Sequence, residues 1–233
     1  PCRLETADFE GSTGLLPLAQ DTGETYYLTP LFAVERRTDA IALAGEQTLF
    51  SVGYTFDLDF YRNNAYSCGL SGNYTFMVVN PVSGDETYEA PLWVYLHGGG
   101  AGFYDENGDY QAVGNQTEDT WNREETFDDL LTIQLQGRTV ENGQPKDITL
   151  TRRIQEGYRV VMVSMCDHDQ YSGLGTPYPN NPNPGAEVNG MQATMSAVEY
   201  TVSNYPTTEV FAHGTSAGSV GVYNLAMSFA AEN

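Results

Sequence analysis

The stretch that most constrains the fold is Phe211-Ala212-His213-Gly214-Thr215-Ser216-Ala217-Gly218-Ser219, close to the C-terminal end of a 233-residue chain. Gly214-x-Ser216-x-Gly218 matches G-x-S-x-G, the pattern of a serine held on a very sharp strand-to-helix turn. The glycines two before and two after the serine let neighbouring backbone pass without a Cβ clash. Alone the pattern is weak, because small residues gather around a serine by chance. Its setting strengthens it. Thr208–Ala212 reads as a short buried strand and Ala217–Ala230 as a helix rich in small and apolar residues. The alternative is a Gly/Ser-rich turn without chemistry.

A second signal lies upstream. Ala90-Pro91-Leu92-Trp93-Val94-Tyr95-Leu96 is an apolar run of strand length that feeds into His97-Gly98-Gly99-Gly100-Ala101-Gly102. A glycine loop after a strand can cradle phosphate, but no G-K-[ST] follows and the G-x-G-x-x-G spacing is absent. In esterases such a loop turns backbone N–H groups toward the oxygen that becomes negative during acyl transfer. Paired with the later G-x-S-x-G, it makes an α/β-hydrolase the leading reading.

Composition narrows the class. The formal net charge is −21, from 31 acidic and 10 basic residues, and Lys146 is the only lysine. Such a balance repels nucleic acid and offers no cationic patch to anionic lipid. No stretch of about eighteen apolar residues exists, so no membrane span is expected. Pro1–Glu5 lacks the apolar run of a signal peptide, so the chain is expected to be a mature, processed form. The acidic surface, abundant tyrosine and asparagine and near-absence of lysine lean toward secretion. Cys2, Cys68 and Cys166 are odd in number and lack metal-ligand spacing; in a secreted protein two of them pair and the third needs another partner.

Along the chain, 1–25 reads as an irregular lead-in, 26–89 as a strand-rich opening, and 90–233 as a strand–helix core. Within the opening, Tyr26–Val34, Gln47–Phe60 and Asn73–Asn80 read as strands. Thr48–Tyr54 is expected to be partly buried, and Tyr74–Val79 and Leu92–Leu96 to be neighbours across the turn at Asn80–Asp85. Tyr104–Asp129 is acidic and reads as a solvated loop bordering the pocket. Its Asp105–Asp109 fails the calcium-loop order, so neither a metal nor any cofactor is expected. Asp147–Glu156 reads as a helix stopped at Gly157, and Arg159–Met165 as a buried strand. Thr176–Gly185 reads as a loop and Glu187–Tyr205 as a helix stopped by Pro206. Strands alternating with helices over 90–230 imply right-handed crossovers and a parallel sheet, after an antiparallel opening.

Three landmarks carry a family resemblance. They are Leu92–Gly100, then Cys166-Asp167-His168-Asp169-Gln170-Tyr171-Ser172-Gly173, then Gly214-Thr215-Ser216-Ala217-Gly218. In this order they resemble the pectin acetylesterase family, to which the Wnt-deacylating esterase Notum also belongs. The second is similar to that family's Cys-Asp, aromatic, Ser/Thr-Gly signature, and the third to its Gly-x-Ser-Ala-Gly elbow. The likeness covers about residues 73–230. There are departures: His97 stands where the family usually has a carboxylate, and Gly100 where an aromatic is common. His97-Gly98-Gly99-Gly100 instead resembles hormone-sensitive-lipase-type carboxylesterases, which usually have aspartate where this chain has Thr215 and lack the Cys-Asp signature.

The resemblance and the motif geometry together imply an esterase acting on an acyl ester, with O-acetyl on a carbohydrate as the expected substrate. Ser216 is the expected nucleophile, and the N–H groups of Ala217, Gly99 and Gly100 the expected oxyanion hole. His97, Asp167, His168 and Tyr171 are candidates to line the pocket. A general base is missing. In α/β-hydrolases the order is Ser, then Asp or Glu, then His, yet Glu232 is the only acid after Ser216, and His97, His168 and His213 all precede it. His213 reads as a core or strand-end histidine. Two explanations stand. Either 1–233 is the N-terminal portion of one α/β-hydrolase domain, completed by a C-terminal segment present as a second chain or missing remainder, or it is a non-catalytic module on a hydrolase scaffold. The first is the expectation, because a sheet ending one helix after its central strand leaves that strand's edge open.

Overall fold

A computed structural model gives the fold and describes residues 16–19, 25–28, 34–51, 54–85, 87–112, 123–135 and 149–232. Two compact units emerge: residues 34–225, and residues 1–33 together with 226–233. In the smaller unit β1 (Leu16–Ala19) pairs antiparallel with β2 (Thr25–Leu28). A strand therefore occupies part of the stretch that reads as an irregular lead-in, while the expected strand at 29–33 lies outside the described residues.

The larger unit is built on one mixed sheet. Three long strands open it: β3 (Ile41–Ser51), β4 (Tyr54–Ser67) and β5 (Asn73–Asn80), each antiparallel to the next. Gln47–Phe60, read from sequence as one strand, thus crosses a hairpin. Strand-forming residues stand on both sides of the turn, and a continuous run of them hides it. Thr48 is exposed and Leu49 half-buried, because β3 is an edge strand with a partner on one side only.

The sheet continues with β6 (Ala90–Leu96), whose residues alternate between full burial and partial exposure. A small hairpin follows, β7 (Gly102–Tyr104) with β8 (Tyr110–Ala112). Asp105 closes its turn: one carboxylate oxygen accepts N–H bonds from Asn107 at 2.9 Å and Asp109 at 3.1 Å. After a helical turn over Asp129–Leu135 and the helix α1 (Thr149–Gln155), the chain enters β9 (Arg159–Val163), buried at every position. Short strands β10 (Thr176–Pro177) and β11 (Glu187–Val188) then pair around a proline- and asparagine-rich loop. The helix α2 (Gly190–Asn204) starts only after β11, so the expected helical start at Glu187 gives way to a strand. The last elements are β12 (Thr207–Gly214) and α3 (Ala217–Glu232).

The sheet order is β12-β6-β9-β5-β4-β3. β9 inserts between β5 and β6, so Tyr74–Val79 and Leu92–Leu96 are second neighbours rather than a pair. Val160–Val163 of β9 gain a ladder on both sides this way, antiparallel to β5 and parallel to β6. β12 joins β6 in parallel. Three parallel strands, a strand–turn–helix at Ser216 and antiparallel strands before them make an α/β-hydrolase-type sheet.

Packing follows the strand alternation. One face gathers Phe56, Leu58, Phe60, Met77, Val79, Val160 and Met162 against Leu130, Leu131, Leu135, Leu150 and Ile154. Each such side chain fully withdrawn from water contributes about 1.5–3 kcal/mol. On α2, Met191, Met195 and Val198 are buried as their spacing predicts, whereas Val202 is 43% exposed. A disulfide joins Cys68, just after β4, to Cys166, just after β9. Cys2 lies outside the described residues.

The reading of Thr208–Ala212 as buried is corrected: all five residues are exposed. β12 ends the sheet, paired to β6 alone, so its far edge has no partner among the described residues. Val210 is 47% and Phe211 37% exposed. Apolar composition marked a strand built for a sheet interior, and the described sheet stops there.

Candidate functional site

Register brings three loops together. Leu96 sits opposite Val163 on one side and Gly214 on the other, so β6, β9 and β12 end in one row. The chain leaves that row as His97–Gly100, Ser164–Gly173 and Thr215–Ala217. Crevices at the C-terminal ends of parallel strands, where connections diverge, are where α/β sheets place their sites.

The turn at Ser216 is tight. Ser216 itself holds φ 53, the left-handed region that non-glycine residues enter at a cost of about 1–3 kcal/mol. A Cβ on Gly214 would stand 2.0 Å from the Gly218 carbonyl oxygen, and one on Gly218 only 1.9 Å from the Leu96 oxygen. Both contacts are with backbone, so no side chain fits at either position. Bonds from Gly218 N–H to Thr215 O and Ser219 N–H to Ser216 O, each 2.9 Å, close the first turn of α3. Ser216 ends exposed while Ala217 behind it is buried.

The glycine loop lies against this turn. A Cβ on Gly98 would reach 2.7 Å from Thr215 O and 2.9 Å from Ser216 Cβ, and Thr215 N–H donates to Leu96 O at 3.1 Å. Gly99 abuts the Met165 side chain. His97 is buried: its Nδ1 is 2.9 Å from Gly98 O and its Nε2 3.0 Å from Glu125 Oε1. Glu125 is itself 3% exposed.

The Cys166–Gly173 loop forms the third wall. His168, Gln170 and Tyr171 all hold φ between 55 and 59. Two buried carboxyl groups organise these strained residues. Asp169 accepts N–H bonds from Tyr171 at 2.8 Å, Gly173 at 2.6 Å and Gly190 at 2.8 Å. Asp167 accepts from the Tyr74 hydroxyl and, at 2.9 Å, from Asn189 N–H. Burial, with the charge of Asp169 beside it, raises the Asp167 carboxyl well above its usual range. The Tyr171 hydroxyl donates to His97 O at 3.2 Å, tying this loop to the glycine loop. His168 is buried next to the Tyr110 hydroxyl, and desolvation lowers its pKa to about 4, which keeps it neutral near pH 7.

The Gly98 backbone thus lies against Thr215 and Ser216, and Gly99 against Met165, while His97, Asp167, His168 and Tyr171 are buried rather than exposed. His213 lies half-buried on β12, stacked on Tyr95 at 5.7 Å and against Trp93 at 5.8 Å between ring centroids. Sequence reasoning missed Glu125. It stands in Arg123-Glu124-Glu125, where nothing in the sequence separates the buried Glu125 from the half-buried Glu124 beside it.

No protein-family model and no curated protein matches the chain. A crystal structure of a thermostable esterase is similar at 14% identity and a TM-score of 0.36, over 83% of this chain and 39% of that one. The chain therefore spans about two fifths of that esterase's length. The fold assignment stands on the strand order and the serine turn of the chain itself.

Proposed function

We propose that this chain carries the nucleophile and oxyanion loop of a secreted serine esterase. The observation that carries the reading is Ser216, exposed at a left-handed turn between β12 and α3, with the Gly98 backbone packed against it. In the proposed reaction Ser216 Oγ attacks the ester carbonyl carbon while a histidine takes its proton. The carbonyl oxygen becomes negative and is met by the N–H groups of Ala217, Gly99 and Gly100. The ester C–O bond then breaks, and the alcohol leaves with the proton that histidine returns. Water, deprotonated by the same base, releases the acid and restores Ser216.

The histidine and its carboxylate are assigned to a C-terminal segment, as a second chain or a remainder of the same protein. Two features support this. His97 and His168 are buried in hydrogen bonds, and His213 is stacked in an aromatic cluster, so no described histidine is placed as the base. The edge of β12, which has no partner among the described residues, and its exposed Val210 and Phe211 suit the addition of further strands. Intact-mass analysis of the native protein tests this; a sole, stable species with the mass of residues 1–233 would reject it and favour a non-catalytic module.

The proposed substrate is an acetyl ester on a carbohydrate, following the resemblance to pectin acetylesterases. The net charge of −21 makes polyanionic pectin an unfavourable partner at low salt. Acetate release from pectin, xylan and a simple aryl acetate discriminates the substrates. Cleavage of the aryl acetate with neither polymer touched would replace this reading by the carboxylesterase that His97-Gly98-Gly99-Gly100 resembles. The disulfide between Cys68 and Cys166 supports an oxidising, extracellular location. Among the described residues no helix is long and apolar enough to cross a membrane.

A further inference from the structure

We propose that Glu125 is a positioning residue that aims an oxyanion donor by holding His97 as a doubly protonated imidazolium against the Gly98 carbonyl. The inference rests on the esterase reading for its catalytic consequence, though not for its geometry.

The His97 ring meets an acceptor at both nitrogens. Nδ1 lies 2.9 Å from Gly98 O, and a carbonyl oxygen only accepts. Nε2 lies 3.0 Å from Glu125 Oε1. That same oxygen also takes the Met165 N–H at 2.9 Å, a second donor of the kind an ionised carboxylate oxygen accommodates. The Gly98 carbonyl requires an N–H at Nδ1; with Glu125 as the carboxylate Nε2 donates as well, and an imidazole that bears both protons is cationic. The ring is 1% and the Glu125 side chain 4% exposed, so each charge is buried and each compensates the other. The second oxygen, Glu125 Oε2, has no hydrogen-bond partner among the described residues, which leaves the ring as the dominant counter-charge.

The consequence follows from peptide geometry. The peptide joining Gly98 to Gly99 is planar and trans, so its C=O and N–H point in opposite directions. Pinning the Gly98 oxygen onto His97 fixes the direction of the Gly99 N–H, one of the proposed oxyanion donors. Glu125 is anchored in turn. Its carbonyl accepts the Thr75 hydroxyl of β5 at 2.7 Å, and its carboxylate holds Met165 at the end of β9. The aim of one N–H on the glycine loop is thereby referred to two central strands.

The test has two arms. In the full native protein, long-range proton–nitrogen NMR of the His97 ring is expected to show both nitrogens protonated at neutral pH. Glu125→Gln is expected to convert it to a neutral tautomer with one unprotonated nitrogen. In the same variant, aryl acetate turnover is expected to fall in kcat by roughly 10- to 100-fold with KM within about twofold, less than the 10²–10³ for deleting a donor outright. A wild-type ring with a single protonated nitrogen overturns the proposal without recourse to any variant. So does a folded Glu125→Gln protein whose ring signature and kcat both match wild type. Absence of ester hydrolysis in the wild-type protein would strike the esterase reading alone, and the ring signature would still decide the charge of the pair.

Discussion

Gly98→Ala is the sharpest perturbation of the contact between the glycine loop and the serine turn. The added Cβ would stand 2.7 Å from Thr215 O and 2.9 Å from Ser216 Cβ. Carbon contacts are most favourable at about 3.5–4.0 Å, so the loop must retreat by on the order of 0.5 Å. It cannot be spared by a side-chain rotation, because one obstacle is a carbonyl of a turn already fixed by Gly214 and Gly218. Overpacking of this kind costs about 1–3 kcal/mol of stability, and near 2 kcal/mol a domain of this size loses roughly 4–8 °C in Tm. The catalytic loss should be of similar size in free energy. A misplacement of about 1 Å costs up to 10²-fold, so a shift of half that size should lower kcat/KM for an aryl acetate by about 10-fold or more. Gly185→Ala serves as control, since the nearest atom to its new Cβ is 3.7 Å away. Measuring kcat/KM and Tm for both variants checks the argument. A Gly98→Ala protein within twofold of wild type in activity and unchanged in Tm would refute the placement of the loop against Ser216.

Two further outcomes follow from the packing beneath the site. Replacing Cys68 and Cys166 by alanine opens a loop of sequence separation 98, and the chain-entropy model assigns about 4.7 kcal/mol to a loop near that length, so the urea midpoint should fall markedly under non-reducing conditions and scarcely change between reducing and non-reducing buffer. His168, with its pKa pushed down to about 4 by burial, binds fewer protons folded than unfolded, so its contribution to stability is full above about pH 6.5 and is lost as pH falls from there toward 4; an NMR titration of its ring should show the neutral form persisting to about pH 5, and a midpoint near 6.5 would contradict its burial.

Much of the fold was legible because hydrophobic runs carried it. Ala90–Leu96 and Val160–Val163 are apolar runs that lie inside the sheet, buried on one or both faces. The Gly214–Gly218 turn was legible because backbone contacts below about 3 Å leave glycine as the only solution at two fixed positions. Pairing was less legible. Asn80–Asp85 looks like a hairpin turn, but local sequence says nothing about β9, which begins only at Arg159 and takes the place beside β5. Burial of β12 differs from its sequence reading for a related reason: apolar content reports what a strand is suited to cover, and among the described residues nothing pairs with its outer edge. In the site, Ser216 could be read from its glycines, whereas Glu125 could not. A carboxylate becomes special only through what surrounds it, and Thr75, His97 and Met165 come from three separate strands or their ends.

The central claim is that Ser216 is an acyl-accepting nucleophile. Brief exposure of the native protein to an aryl acetate, acid quenching and peptide mass analysis measures this directly. The account predicts an acetyl group on the peptide containing Ser216, absent from Ser216→Ala and reduced in Gly98→Ala. An acetyl group found elsewhere with Ser216 unmodified, or turnover that survives in Ser216→Ala, would contradict it.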